Sequence, residues 1–240
     1  KPLRQNTQDN LIASIAAPVS EVSVEEKVSV RTIRMTLVKG KVQDANTEEP
    51  IGARIAITDN EKNELVVEKH SNSATGKYML SLPSGKNYGI SVKADGYMFH
   101  SENFDIPKEA TYMEIEKDIP LMSVEVGSKI ILKNIFFDSG KAKLKPTSYP
   151  ELDRAVEFFF NYPNVKVEVS GHTDNVGNYN FNQQLSEKRA QAVVDYLKSQ
   201  GVPAQQLTFK GYSSDQPVAP NTTAEGRQKN RRVEFKVVAK

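Results

Sequence analysis

Asp174 lies in the run Gly171-His172-Thr173-Asp174-Asn175-Val176-Gly177, and Arg189 follows on what reads as the next helix. An acid at a strand-to-loop exit beside an arginine on the following helix makes a clamp for a zwitterion. Asn182, Leu185 and Arg189 stand at i, i+3 and i+7, so they share one helix face that points back toward the loop carrying Asp174. Ser170, His172 and Asp174 are also the residue types of a nucleophilic triad. Alternate positions on one extended segment lie roughly 6 to 7 Å apart, too far for the hydrogen-bond chain that activates a serine. The sequence also has no Gly-x-Ser-x-Gly elbow, and His172 reads better as a structural hydrogen-bonding residue.

The elements around these residues come from patterning. Val165, Val167 and Val169 alternate with polar residues as in a half-buried strand, and Asn175, Gly177, Asn178 and Asn180 supply turn chemistry. A strand is expected over 129–137, a helix over 149–161, a strand over 165–171 and a long amphipathic helix over 181–200. Gly201 and then Pro203 stop that helix. Strands over 207–211 and 233–238 complete a strand-helix alternation, which implies an α/β sandwich with helices against a sheet. Strand order is not legible.

The segment from Asn134 to Val238 resembles the OmpA-like C-terminal domain, a periplasmic peptidoglycan-binding module. The resemblance is carried by Ile135-Phe136-Phe137-Asp138, Gly171-His172-Thr173-Asp174 with Gly177, Asn182, Leu185-Ser186 and Arg189-Ala190. Gly211-Tyr212, Pro217, Asn221, Gly226-Arg227 and Asn230-Arg231-Arg232-Val233 continue it in the same order. It implies that Asp174 pairs with the ammonium of the diaminopimelate in a peptidoglycan stem peptide, and that Arg189 makes a two-pronged contact to its carboxylate. Asp138, Thr173, Asn182, Leu185 and Arg231 are the further pocket members it implies. Plainer roles stand beside these. Asp174 could cap its loop, Asp138 could close the turn before Gly140, and Arg189 could pair with Glu187 or Asp195, neither of which has the favoured i+4 spacing. Either Arg231 or Arg232 could face the pocket while the other meets a structural carboxylate or solvent. Lys141, Lys143 and Lys145 read as a solvated basic loop or, as a lesser alternative, an attraction for anionic wall polymer.

Residues 35–122 carry a different pattern. Seven short strands, over 36–42, 53–58, 65–69, 77–82, 88–94, 99–104 and 114–121, are separated by turn clusters such as Pro83-Ser84-Gly85 and Asp95-Gly96. Their spacing predicts a seven-stranded antiparallel β-sandwich. Gly40-Lys41-Val42-Gln43-Asp44, Pro50-Ile51, Gly76-Lys77-Tyr78 and Gly96-Tyr97 resemble the carboxypeptidase regulatory-like, transthyretin-like sandwich family. The family name confers no peptidase activity, because function must be argued from a site. His70 and His100 are isolated and no His-Glu-x-x-His occurs, so no metal site is expected.

The expected organisation is α+β overall: residues 1–34 as linker or remnant of a preceding domain, 35–122 as the sandwich, and 127–240 as the OmpA-like α/β sandwich. The junction is too short for a free-ranging tether, so the two domains are expected to touch. The 240 residues suit about two domains. With 32 basic and 30 acidic residues the formal net charge is +2, which argues against a broad footprint for nucleic acid. Absence of cysteine excludes disulfides and thiolate catalysis but leaves the compartment open. The sequence has no run of about 20 apolar residues and no signal-peptide pattern. It begins abruptly at Lys1, as a fragment of an exported precursor would. The expectation is a non-enzymatic periplasmic anchor without cofactor, tying an outer-membrane or envelope assembly to the wall. A scaffold for a secretion or motility complex is the alternative, and a peptidoglycan-acting enzyme is a third reading.

Overall fold

The computed structural model describes residues 34–108 and 113–240; the expectation for the N-terminal segment falls almost wholly outside them. The first part holds β1 (Met35–Asp44), β2 (Arg54–Asp59), β3 (Glu64–His70), β4 (Lys77–Pro83), β5 (Lys86–Lys93), β6 (His100–Ile106), β7 (Met113–Glu116) and β8 (Ile119–Leu121). One sheet has β1 between β4 on one side and β7 and β8 on the other; the second runs β3-β2-β5-β6. Alternation places the core. Tyr78, Leu80 and Leu82 of β4 are buried between exposed Lys77, Met79 and Ser81. They meet Val38 and Val42 of β1 and Ile55, Ile57, Ile90 and Val92 of the other sheet in a single apolar cluster.

Among the described residues this part has eight strands rather than the seven expected. The stretch over 114–121 breaks at Lys117–Asp118, where the Tyr78 hydroxyl donates to Lys117 O at 2.6 Å and Lys41 N donates to Asp118 Oδ1 at 2.8 Å. Gly40 permits the close approach, since a Cβ there would lie 2.1 Å from Lys117 O. Both β7 and β8 run parallel to β1, so the pairing is mixed, not wholly antiparallel.

The second part contains β9 (Lys129–Leu132), α1 (Tyr149–Asn161), β10 (Lys166–Gly171), α2 (Tyr179–Ser199), β11 (Leu207–Gly211), α3 (Ala224–Asn230) and β12 (Val233–Ala239). Its sheet has the order β11-β10-β12-β9, with β10 and β11 parallel and the other pairs antiparallel. Leu152, Ala155 and Phe159 of α1, and Val193, Val194 and Leu197 of α2, bury against Val167, Val169, Phe235 and Val237 of the sheet. The fold is therefore mixed α/β. The Asn178 side chain caps α2 by accepting from Phe181 N at 3.1 Å, and Gly201 ends it at φ +93°.

The two parts share packing. Met98 and Phe99, just before β6, join the core of the second part, where Phe99 lies 6.1 Å from the Phe158 ring. Met98 N donates to Met122 O at 2.7 Å and Val124 N to Gly96 O at 2.8 Å.

Candidate binding site

At the C-terminal end of β10 the chain turns outward through Thr173 and Asp174. Thr173 N donates to Ser213 O at 2.8 Å, which ties this exit to the segment after β11. Asp174 Oδ1 accepts from Val176 N at 3.0 Å, and Oδ2 accepts from Arg231 Nη1 at 2.5 Å. Asn182, buried on the first turn of α2, donates from Nδ2 to Val176 O at 2.9 Å and holds the loop over the helix.

Close backbone contact sets α2 in place. A Cβ on Gly171 would stand 2.1 Å from Ser186 O, and one on Gly211 would stand 2.5 Å from Glu187 N. Only glycine lets the helix lie directly on the ends of β10 and β11. Gln183 Nε2 donates to Gly211 O at 2.9 Å, and Ser186 Oγ accepts from Ser213 N at 3.1 Å. Arg189 therefore emerges on the same side as Asp174.

The opposite wall is the loop after β9. The guanidinium of Arg189 lies 5.0 Å from the centroid of the Phe137 ring, as a cation over an aromatic face. It donates from Nε to Lys141 O at 3.0 Å and from Nη2 to Asp138 O at 3.3 Å. Burial lowers the Arg189 pKa from its ordinary value and the like charge of Arg231 lowers it further, while Asp174 acts the other way. Phe136 N donates to the buried Ser148 Oγ at 2.8 Å, and Phe137 bridges to Leu144, so the loop is pinned at two points.

These walls flank an open cavity of about 540 Å³ lined by Ile135, Phe136, Phe137, Ser139, Gly140, Thr173, Asp174, Val176, Phe181, Asn182, Leu185, Arg189, Gln228 and Arg231. Of the residues singled out from sequence, Asp174, Arg189, Thr173, Asn182, Leu185 and Arg231 come together in it. Asp138 does not line it: its carboxylate turns to Lys145 Nζ at 3.1 Å, a pairing that lowers its pKa, and only its backbone oxygen meets Arg189. The two adjacent arginines divide. Arg231 faces the cavity, whereas buried Arg232 donates from Nε to Glu234 Oε1 at 2.6 Å and from Nη2 to Gln216 O at 2.9 Å. Phe136 and Phe137, though part of the motif that carries the resemblance, were not singled out as pocket members, nor were Gln228 and the short helix α3. Thr223 before Ala224-Glu225 was the available signal for α3, since its hydroxyl accepts from Gly226 N at 3.0 Å.

Ser170, His172 and Asp174 are not hydrogen-bonded to one another. Ser170 Oγ donates to Glu168 at 2.8 Å, and buried His172 stacks on Tyr212 at 5.4 Å with Nε2 3.6 Å from Glu234 Oε2. Burial alone would raise the Glu234 carboxyl, but His172 and Arg232 outweigh it and hold it down at about 2. Among the described residues no cluster of three potential metal ligands occurs. The cavity thus presents two guanidinium groups and one carboxylate against an aromatic wall, an arrangement suited to binding a small zwitterion or dianion by charge-assisted hydrogen bonds.

Residues 136–231 match the family model described as the OmpA family. Outer membrane porin F of Pseudomonas aeruginosa is 35% identical over 188 residues, covering 72% of this chain and 53% of the porin. The peptidoglycan-binding protein ArfA of Mycobacterium bovis is 41% identical over 103 residues, covering 43% of this chain and 32% of ArfA. The chain thus spans about half the length of the first relative and about a third of the second. A solved structure of the cell wall anchor of the T6SS from Pseudomonas aeruginosa is 34% identical, covering 47% of this chain and 80% of that one, at a TM-score of 0.41. At that score the superposition adds nothing to the sequence matches. The family match spans Phe136 and Phe137 of the cavity loop, Asp174 after β10, Arg189 on α2, and Arg231: residues 136–231 form an OmpA-like domain.

Proposed function

We propose that the protein binds peptidoglycan without covalent chemistry, taking the diaminopimelate of a stem peptide in the cavity between Asp174 and Arg189. The observation that carries this reading is the convergence of one carboxylate and two guanidinium groups, Asp174, Arg189 and Arg231, on a single 540 Å³ cavity. In this reading the ligand's ammonium is taken by Asp174 and its carboxylate by Arg189, with Arg231, paired to Asp174 at 2.5 Å, a second cation for the carboxylate. The similarity to ArfA, a peptidoglycan-binding protein, supports the ligand class.

Each charge-assisted hydrogen bond contributes about 1.5–3 kcal/mol, and ordering costs reduce the sum. A single stem is then held at roughly micromolar to millimolar strength. A wall polymer offers many equivalent stems, so rebinding makes the attachment persistent. On this reading the protein works in the periplasm as an anchor between an outer-membrane or envelope assembly and the wall, with the two-sheet N-terminal part as spacer or docking surface. No described helix is long and apolar enough to cross a membrane.

The test is calorimetric titration of the full chain with a soluble diaminopimelate-containing muropeptide. Asp174→Ala and Arg189→Ala are expected each to weaken binding at least about tenfold with the fold retained. Wild-type affinity in both variants would refute the site, and conversion of the muropeptide to products would refute a purely binding role.

A further inference from the structure

We propose that strand β6 of the N-terminal part is a positioning edge for the cavity, fixing the loop that carries its aromatic wall; this rests on the reading of the cavity as the wall-binding site. Three consecutive β6 residues reach across to Lys133 and Asn134. Asn103 Nδ2 donates to Asn134 Oδ1 at 2.9 Å, and Asn134 Nδ2 donates to Ser101 Oγ at 3.2 Å. Lys133 Nζ donates to Glu102 Oε2 at 2.6 Å. Ser101 is buried, and its hydroxyl also accepts from Arg154 Nη1 of α1 at 3.3 Å. The same guanidinium donates to the buried Glu151 carboxylate at 3.2 Å, and that carboxylate takes the remaining donor of Asn134 at 3.3 Å. The side chains of Asn134, Glu151 and Arg154 therefore close a polar ring around Ser101.

This ring matters because of the residues it leads into. Asn134 is succeeded directly by Ile135, Phe136 and Phe137, three residues of the cavity wall. Phe137 lies under the Arg189 guanidinium, and the backbone oxygens of Asp138 and Lys141 in the same loop hold its donors. Regular strand pairing ends at Leu132, so the loop has no sheet ladder of its own between β9 and the Phe136–Ser148 contact. The β6 edge supplies the missing constraint at the start of that loop. The first part thus reaches the arginine of the second through polar contacts to Asn134 and then through the chain of residues 135–138 itself. Neither Ser101 nor Asn103 lines the cavity, so the effect on binding passes through the loop.

The experiment uses the full chain and a soluble diaminopimelate-containing muropeptide, with affinity measured at 25 °C and thermal unfolding measured alongside. The Ser101→Ala/Asn103→Ala double variant is expected to weaken binding roughly threefold to tenfold. Ile57→Val, a trimming in the first part's core on β2, which β5 separates from β6, is expected to lower Tm without changing affinity. If the double variant loses its fold, Asn103→Ala alone, an exposed position, is expected to weaken binding at least about twofold. A lowered Tm with wild-type affinity in the folded β6 variant would mean that the edge only stabilises, and would overturn the proposal. Arg189→Ala runs in parallel. Wild-type affinity there overturns the assignment of the cavity itself, and the role of β6 with it, whereas loss there with none in the β6 variant overturns the positioning role alone.

Discussion

Gly171→Ala tests how the sequence positions the two charged partners. The added methyl would sit 2.1 Å from Ser186 O and 2.9 Å from the Ser186 carbonyl carbon, whereas real Cβ contacts do not fall below 3.0 Å. The obstacle is helix backbone, so no rotamer change relieves it, and α2 must retreat from the end of β10 by about 0.9 Å or more in an interior packed as densely as a crystal. Overpacking of this kind costs about 1–3 kcal/mol, and a backbone-on-backbone clash belongs at the upper end. For a unit of about 200 residues that lowers Tm by roughly 5–10 °C. Arg189 is three residues beyond Ser186 and moves with the helix, while Asp174 stays with β10. One charge-assisted contact to a zwitterion should be lost, a weakening of about tenfold or more. Circular dichroism melts and muropeptide titration read the two effects. A Gly171→Ala protein with Tm within about 1 °C of wild type and unaltered affinity would refute the packing of α2 on β10 and the reason given for the glycine.

Two further outcomes are expected from the same geometry. Arg189→Lys keeps the charge but loses the Phe137 stacking and the fork that spans Asp138 O and Lys141 O. It should cost about 1–2 kcal/mol in urea unfolding and bind almost as weakly as Arg189→Ala, and wild-type affinity would show that a point charge suffices. Glu234 is 6% exposed and held at about 2 against an ordinary 4.5. A depressed carboxylate stabilises the fold while charged, so its contribution of about 3 kcal/mol is present in full above pH 4.5 and fades as the pH falls toward 2. Glu234→Gln should flatten the stability profile across that window relative to wild type; parallel profiles would contradict the stabilising role of the His172–Glu234–Arg232 group.

Local patterns were legible and distant pairings were not. The alternating valines of β10, the turn residues around Asn178 and the Gly201 stop are all encoded within a few residues, and α2 falls within two residues of its expected start. The placement of Asp174 and Arg189 on one cavity was legible for the same reason, since one loop and about three helical turns separate them. The turn of the Asp138 carboxylate away from the cavity was not legible, because its partner, Lys145, is reached only when the loop folds back through the Phe137–Leu144 bridge. The insertion of β12 between β10 and β9 depends on contacts across a hundred residues of chain, for which periodicity carries no signal. Phe99 read as a sandwich strand residue, yet it packs against Phe158 in the other part's core. An apolar residue announces that it will be buried, not in which core. The single strand expected over 114–121 hid a break that Tyr78, some 40 residues earlier, imposes through Lys117 O.

Wall binding through the Asp174–Arg189 cavity is tested most directly by co-sedimentation of the full chain with purified diaminopimelate-containing peptidoglycan, with Arg189→Ala in parallel and free diaminopimelate as competitor. The wild-type chain should pellet with the wall, the variant should stay in the supernatant, and the competitor should release the wild type. Failure of the folded wild type to pellet, or pelleting that neither the substitution nor the competitor reduces, would contradict the assignment of this cavity as the wall-binding site.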